Sequence, residues 1–217
     1  MYKGVFVTAT DTEVGKTYVS CKIAEALKNL NINIGVFKPV SSGDRNDAKE
    51  LIKSSQIRES AEKVTPIFFK NPMSPYGASL IENKRFNLRK VYSHFEYFLN
   101  KYEFTIVEGV GGVLVPLKHN FFVVDLIKKF NLPTIVIARH NLGTINHTLL
   151  TIEQLKKELS SKNNQKILGI VLNGNKNKDD ISSKTNAALI KRITKLNVLS
   201  LGCNEKIDLR KNKWIIG

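Results

Sequence analysis

The sequence has few of the residues that would cross-link the chain or divide it into parts. Its 217 residues include only two cysteines, Cys21 and Cys203, which are too few for a disulfide framework or a CxxC-type zinc site. There is no internal repeat, no low-complexity tract and no linker rich in Pro, Gly or Ser. These absences exclude disulfide-stabilised and repeat folds, and they predict a single domain over residues 1–217.

Long apolar stretches are also missing. The most continuous one, residues 105–117, is interrupted by Glu108 and by three glycines, so we expect no segment that spans a membrane. The first residues alternate like a strand, without a charged and then apolar leader. Together with the scarcity of cysteine, this start predicts a cytoplasmic protein.

Positive charge is in excess. The chain has 34 Lys and Arg against 19 Asp and Glu, a net charge of +15, and 27 of the 34 are lysines. Such an excess is typical of proteins that bind polyanions or small anionic substrates. Specific readers of nucleic acid favour Arg, whereas here the lysines are scattered and 21 Asn accompany them. The composition therefore argues against nucleic acid as the partner and is typical of a genome biased toward Lys and Asn.

Short runs rich in β-branched residues alternate with longer helical patterns, which is typical of βαβ units. The predicted strands cover residues 4–9, 32–37, 104–108, 134–138, 166–172 and 198–201. The predicted helices cover residues 16–30, 47–55, 88–101, 123–130, 144–161 and 182–195. We therefore predict a doubly wound α/β fold, a mostly parallel sheet with helices on both faces, which binds ligands beyond the carboxyl ends of its strands.

The first predicted strand runs directly into residues 10–17, TDTEVGKT, and a predicted helix follows. A Gly15-Lys16-Thr17 sequence at such a junction is the functional half of a P-loop, in which backbone N–H groups hold phosphates, the lysine reaches the outer phosphates and the hydroxyl binds Mg²⁺. The usual leading glycine is replaced by Ala9 or Thr10, depending on the spacing. The segment predicts a fold of the P-loop NTPase type, and an ordinary helix start is the alternative.

Two carboxylates follow neighbouring predicted strands. Glu108 ends the strand at residues 104–108, and Asp47 lies shortly after the strand at residues 32–37. Mg²⁺ takes one or two protein carboxylates and completes its shell with water and phosphate oxygens. The alternatives are an ordinary strand-end acid for Glu108 and a helix cap for Asp47. The glycines of residues 109–112, GVGG, let the backbone pass close to a ligand.

Taken together, these segments resemble dethiobiotin synthetase, a family of P-loop enzymes of biotin biosynthesis. The matching pieces occur in the family's order between about residues 4 and 175: residues 10–17 (TDTEVGKT), 38–43 (KPVSSG), 74–75 (SP), 107–112 (VEGVGG), 116–117 (PL) and 143–147 (GTINH). Lys38, which alone would be interpreted as a surface lysine beside a turn, matches the family's catalytic lysine. The carboxyl end departs from the family, because residues 201–206, LGCNEK, replace a Pro-containing segment.

The resemblance implies a ligase that forms C–N bonds. With ATP and Mg²⁺, it would carboxylate 7,8-diaminopelargonic acid with CO2 and close the ring to dethiobiotin through a carbamic–phosphoric anhydride. It also implies a homodimer with the active site at the subunit interface.

The resemblance further implies roles for individual residues. Two lysines would be catalytic, Lys38 and Lys16. Three side chains would bind magnesium: Thr17, Asp47 and Glu108. The nucleotide would contact Glu13, Val14, Gly15, Lys16, Thr17, Tyr18, Asp47, Glu108, Gly109, Gly111 and Asn173. The substrate would contact Thr12 and Ser42, and its carboxylate tail would contact Gly143, Thr144, Ile145 and Asn146 of the opposite subunit. The simpler alternatives are capping and packing for Asn146 and a turn position for Asn173.

The main alternative is a partitioning or positioning ATPase of the deviant P-loop group, which binds DNA or another protein. That group carries an additional lysine early in the phosphate loop, where this chain has Thr10 and Asp11. Amidoligases that activate a carboxylate are a second alternative, but they usually carry a further glutamine-hydrolysing domain.

Overall fold

A six-stranded parallel sheet forms the centre of the computed structural model, which describes residues 2–159, 166–174 and 181–217. In chain order the strands are β1 (Gly4–Ala9), β2 (Ile34–Phe37), β3 (Val40–Ser42), β4 (Ile67–Phe69), β5 (Phe104–Glu108), β6 (Pro116–Lys118), β7 (Phe121–Phe122), β8 (Thr134–Arg139), β9 (Ile167–Asn173) and β10 (Asn197–Leu201). The helices are α1 (Lys16–Lys28), α2 (Asn46–Ser55), α3 (Ala61–Val64), α4 (Pro75–Ile81), α5 (Leu88–Lys101), α6 (Val123–Phe130), α7 (Thr144–Glu158) and α8 (Asn186–Thr194). Short 3-10 turns cover Ile181–Lys184 and Lys213–Ile215.

The strand order of the central sheet is β10-β9-β8-β1-β5-β2, with every neighbouring pair parallel. From β1 the chain crosses over β5 to reach β2 at one edge, and from β8 it proceeds through β9 to β10 at the other edge. The winding therefore reverses beside β1, and in open α/β sheets ligands bind at that reversal. This sheet, with helices packed against it, confirms the predicted doubly wound α/β fold.

The central strands are buried on both faces. All six residues of β1 and all five of β5 are buried, as are the first five residues of β8. Aromatic rings join α5 to α6 and to the sheet: Phe95 of α5 stacks on Phe130 of α6 with ring centroids 3.8 Å apart, and Phe98 of α5 lies 5.5 Å from Phe37 of β2. Strands of this kind are continuous apolar runs in the sequence, which explains why they could be predicted.

The predicted and observed elements agree best in the core. Residues 4–9, 104–108, 88–101 and 123–130 form strands and helices with the predicted bounds. The first helix ends at Lys28 rather than at residue 30, because Asn31 adopts a left-handed conformation with φ 58° that asparagine tolerates.

Two predicted helices near the carboxyl end differ from the structure in other ways. The one at residues 182–195 is divided into a 3-10 turn and α8. The helix predicted for residues 144–161 is observed to Glu158, and its last two positions lie outside the described residues. Within the described ranges, no helix is long and apolar enough to cross a membrane.

Candidate active site

The loop between β1 and α1 holds its shape through left-handed residues. Gly15, the N-cap residue of α1, has φ 90°, and Glu13 has φ 57°. A Cβ at Gly15 would lie 1.9 Å from Nδ2 of Asn173, so a larger residue would have to displace that side chain and would also be strained at this φ. Gly15 has no side chain to bond the first N–H groups of the 13-residue helix, and such groups form an anion-binding site.

Lys16 begins α1 and folds back over this loop. Its Nζ donates a hydrogen bond to the carbonyl oxygen of Asp11 at 3.1 Å. Burial, opposed by the charge of Glu108, lowers the pKa of Lys16 to about 8. The side chain therefore carries its charge at neutral pH and loses it in the mildly alkaline range.

Four polar side chains meet beyond the carboxyl ends of β2 and β5. The hydroxyl oxygen of Thr17 lies 2.8 Å from Oδ1 of Asp47 and 2.9 Å from Oε1 of Glu108. The ammonium of Lys38 donates to the same Glu108 oxygen at 2.6 Å and also to Oδ2 of Asp47. The Thr17 hydroxyl has only one hydrogen to donate. Most of the hydrogen bonds that these two carboxylates accept therefore come from Lys38.

Sheet register explains this convergence. Phe37 pairs with Val107 across β2 and β5, so the next residues, Lys38 and Glu108, emerge side by side. Thr17 lies on α1, which packs closely against α2, the helix that carries Asp47. Local sequence placed each residue at an element end, but their contact depends on β2 lying beside β5.

The cluster is an ion network with a buried centre and a half-buried carboxylate, Asp47. Lys38 is 2% exposed and Glu108 is fully buried. Burial alone would lower the pKa of Lys38, but the negative charges of Glu108 and Asp47 outweigh it and raise that pKa. Burial likewise opposes ionisation of Asp47, but Lys38 lowers the pKa of its carboxyl below the usual range. Lys38 and Asp47 are therefore both charged at neutral pH.

The donor set of this network suits a magnesium ion. Thr17, Asp47 and Glu108 offer hard oxygen ligands, and the Thr17 hydroxyl lies within hydrogen-bonding distance of both carboxylates. In the described part of the chain, Oε2 of Glu108 is buried without a hydrogen-bond partner, and a cation would satisfy it. No group of three His, Cys, Asp or Glu side chains suited to a metal occurs among the described residues. A metal here would thus need oxygens from water or phosphate as well.

A cavity of about 560 Å³ opens over the phosphate loop and this network, a size typical of small-molecule sites. Nine of the predicted site residues line it, among them Thr12, Glu13, Gly15, Lys16, Thr17, Lys38 and Ser42. Asp47 and Gly111 also line it, whereas Glu108 lies behind Lys38. Lys16 and Lys38 therefore face one shared space.

Sequence reasoning assigned no role to one wall of the cavity, although residues 74–75 were among the segments that match the family. Pro72, Met73, Ser74 and Pro75 form it, together with Val115 from the loop after β5. Ser74 caps α4 by accepting a hydrogen bond from the Gly77 N–H at 3.3 Å. A serine followed by proline is a helix-start signal, and this signal could have identified the wall.

Three further predicted nucleotide residues lie along one side of the phosphate loop. Nδ2 of Asn173, at the end of β9, donates to the carbonyl oxygen of Val14 at 3.0 Å. The Tyr18 hydroxyl accepts from the Asn204 N–H at 2.9 Å and lies 3.4 Å from the Gly202 carbonyl oxygen. The chain after β10 is therefore joined to α1 beside the loop.

The two predicted glycines after β5 differ in position. Gly111 lines the cavity with φ 55°. Gly109 instead donates its N–H to the Val7 carbonyl oxygen at 2.9 Å, and a Cβ there would lie 3.0 Å from the Phe6 ring. Within one chain, Gly109 contacts the underlying strand and does not line the cavity.

Residues 143–146 are separate from the main cavity within one chain. Gly143 adopts φ 88° at the start of α7, and a Cβ there would meet open space. Thr144 lines a different, small cavity of about 70 Å³, while Ile145 is half-buried and Asn146 is exposed. Arg139, which sequence reasoning did not select, lines the same cavity and donates to the Thr12 carbonyl oxygen at 3.1 Å.

Comparison with known proteins assigns the chain to a family. A family described as "AAA domain" matches residues 3–208. The ATP-dependent dethiobiotin synthetase BioD of Endomicrobium trichonymphae is 69% identical over 220 residues, which cover 100% of this chain and 100% of that protein. The protein of the same name from Bacillus velezensis is 40% identical over 211 residues, which cover 95% of this chain and 88% of that protein. The chain belongs to the dethiobiotin synthetase family. As a member of this family, it is an ATP-dependent, ligase-type enzyme.

Solved structures of other proteins have a fold similar to that of this dethiobiotin synthetase family member. The ParA family ATPase from Chlorobium tepidum TLS has a TM-score of 0.55 at 14% identity and covers 100% of this chain and 90% of its own. The MinC:MinD cell division protein complex from Aquifex aeolicus has a TM-score of 0.58 at 12% identity and covers 99% of this chain and 86% of its own. At this identity the likeness shows a common P-loop fold alone.

Proposed function

We propose that this enzyme carboxylates 7,8-diaminopelargonic acid and closes its ring to dethiobiotin, with CO2, ATP and Mg²⁺ as the other reactants and cofactor. The observation that carries the proposal is that Lys16 and Lys38 line one cavity above the phosphate loop. The 69% identity to a dethiobiotin synthetase over the full chain supports the choice of substrate.

The proposed reaction has three steps. An amine of the substrate adds to CO2 and loses a proton, which gives a carbamate. A carbamate oxygen attacks the γ-phosphorus of ATP, so that an O–P bond forms and the bond to ADP breaks. The second amine then attacks the carbonyl carbon of this carbamic–phosphoric anhydride, loses its proton and displaces phosphate as the ring closes.

Negative charge on oxygen builds up in each of these steps, and the residues present suit that demand. The ammonium of Lys16 would bind the transferring phosphoryl group. The ammonium of Lys38 would stabilise the carbamate and the transition state next to it. Both lysines are largely buried, and charges act more strongly where water is excluded.

The magnesium ion would be held by Thr17, Asp47 and Glu108. When bound, it would neutralise charge on the phosphate oxygens of the nucleotide. The two carboxylates would orient it, with the unpartnered Oε2 of Glu108 as one available ligand atom. Glu13, Val14, Gly15, Tyr18, Gly109, Gly111 and Asn173 complete the proposed nucleotide site.

The diamine would lie at the other side of the same cavity. Among the described residues, the hydroxyl of Ser42 is buried without a partner, and it lines the cavity with Thr12. These hydroxyls can bond an amine or a carbamate. We assign the carboxylate tail to residues 143–146 of a second copy in a homodimer, because the start of α7 offers free N–H groups.

The alternative, a DNA- or protein-binding positioning ATPase, has less support. It shares the fold and would suit the net charge of +15. The full-length relatives, however, are dethiobiotin synthetases, and the early loop positions are Thr10 and Asp11 rather than lysine. The proposal also includes one domain over residues 1–217 and a cytoplasmic location.

Product analysis tests this function directly. The enzyme is incubated with the diamine, isotopically labelled bicarbonate, ATP and Mg²⁺, and the products are identified by mass spectrometry. We expect label in a cyclic urea, and none with the Lys16→Ala variant. ATP hydrolysis that DNA stimulates, without labelled urea, would contradict the proposal and favour the alternative.

A further inference from the structure

The Lys38 ammonium occupies the position where the proposed metal ligands converge. It bonds Oδ2 of Asp47 and, at 2.6 Å, Oε1 of Glu108. Thr17 uses Oδ1 of Asp47 and shares Oε1 of Glu108. Within the described structure, Oε2 of Glu108 is buried without a hydrogen-bond partner.

The charges around this site oppose the entry of a free divalent cation. Asp47, Glu108 and Lys38 together carry a single net negative charge, and the phosphate loop brings one ammonium, Lys16, and one carboxylate, Glu13, to the same cavity. A free divalent cation entering here would meet two positive side chains and would have to displace one of them. Repulsion between charges a few ångströms apart in a buried site is strong.

A nucleoside triphosphate changes this balance. Its phosphates would add several negative charges and offer both lysines new anionic partners. Lys38 could then release the carboxylates while remaining paired. The cost of displacing it would be offset only in the presence of the nucleotide.

We infer that Lys38 is the resident cation of the free enzyme's magnesium site, so that the site admits a divalent metal only together with nucleotide. This inference rests on the proposed ligands Thr17, Asp47 and Glu108. It adds a second task to Lys38, because the lysine controls access to the metal site as well as serving in the reaction.

The test measures Mn²⁺ binding without nucleotide, by the loss of the electron paramagnetic resonance signal of the free ion. Mn²⁺ prefers the same oxygen ligands as Mg²⁺. The Lys38→Met variant should bind Mn²⁺ about 5- to 150-fold more tightly than the wild type, the range typical of coupled sites. Lys156→Met is the matched control, since it removes a lysine from an exposed pair with Glu153, 2.9 Å away on α7.

A double variant, Lys38→Met with Glu108→Gln, shows where the metal binds. The gain in affinity should disappear in the double variant and be absent in Lys156→Met. Unchanged affinity in Lys38→Met would overturn the inference, and so would an equal gain in the Lys156→Met control. If Lys38→Met does not fold, Lys38→Gln replaces it, because the amide keeps a donor for the carboxylates, and the same gain is expected.

The ligand assignment is tested separately with a non-hydrolysable ATP analogue. If Mn²⁺ binds to the analogue complex of Glu108→Gln as tightly as to the analogue complex of the wild type, the proposed ligands are wrong and the inference fails with them. If Glu108→Gln weakens that binding but Lys38→Met gains nothing without nucleotide, the ligands stand and only the inference is overturned.

Discussion

The phosphate end and the tail end of the proposed site differ in how completely one chain builds them. Around Lys38, buried and half-buried side chains contact one another at 2.6–2.9 Å and close a network. At the start of α7, Asn146 is exposed and Gly143 faces open space. Under the proposed function, one copy would assemble the phosphate and metal end, whereas a second copy would complete the tail end.

The largest expected effect is loss of catalysis at the phosphate end. Lys38→Ala and Lys16→Ala should each lower kcat for cyclic urea formation by about 100- to 1,000-fold or more, the cost of removing one group that stabilises a developing oxyanion. Both variants should remain folded by circular dichroism. Full activity in Lys38→Ala would remove that residue from the mechanism.

The same network should carry a large share of stability. Lys38→Ala leaves the fully buried Glu108 without its cation, and we expect the free energy of unfolding to fall by about 3–5 kcal/mol. Urea denaturation measures this change. Adding Glu108→Gln to Lys38→Ala removes the unpaired charge and should recover part of the loss. No recovery would show that the pair does not act as a unit.

The phosphate end should also respond to pH. Because the pKa of Lys16 is lowered to about 8, its charge is present below pH 8 and is lost above it. We expect the Kd for metal-free ATP to rise about 10-fold between pH 7 and pH 9, as the charged fraction falls. Isothermal titration calorimetry gives these values. Lys16→Ala should show a flat profile over this range, and the same slope in that variant would assign the effect to another group.

The smallest expected change is a partial recovery of activity in mixed dimers, and it tests whether a second copy completes the tail end. Asn146→Glu places a negative charge where the carboxylate tail is proposed to lie, so this variant and Lys38→Ala should each be nearly inactive alone. If each active site takes residues from both subunits, a dimer of one Lys38→Ala subunit and one Asn146→Glu subunit contains one intact site. Reassociation of equal amounts should then restore about a quarter of wild-type activity. No restoration from dimers shown to be mixed would place both residues in one subunit's site.

The core of the fold could be predicted from the sequence because its signal is local. Residues 4–9 and 104–108 are mostly apolar and buried on both faces, so composition alone marks them as central strands. Short edge elements carried less signal. Helix α4 exposes Leu80 and Ile81, so it lacks the apolar periodicity by which helices are recognised.

The site was predictable only in part. The phosphate loop has its own sequence pattern, and Glu108 stands at a strand end. That Lys38 contacts Glu108 depends on the order of β2 and β5 in the sheet, which local patterns do not encode. The resemblance to a family supplied a role for each residue but not their contact. The bonds of Asn173 to Val14 and of Arg139 to Thr12 join segments more than 120 residues apart, and nothing in their neighbouring residues indicates them.

The central claim is that one cavity brings the carbamate to the phosphoryl group between Lys16 and Lys38. The most direct measurement follows heavy oxygen from labelled CO2 through a single turnover with the diamine, ATP and Mg²⁺. If a carbamate oxygen attacks the γ-phosphorus, one labelled oxygen must leave in inorganic phosphate and the other must stay in the urea carbonyl. Cyclic urea formed with unlabelled phosphate would contradict the account.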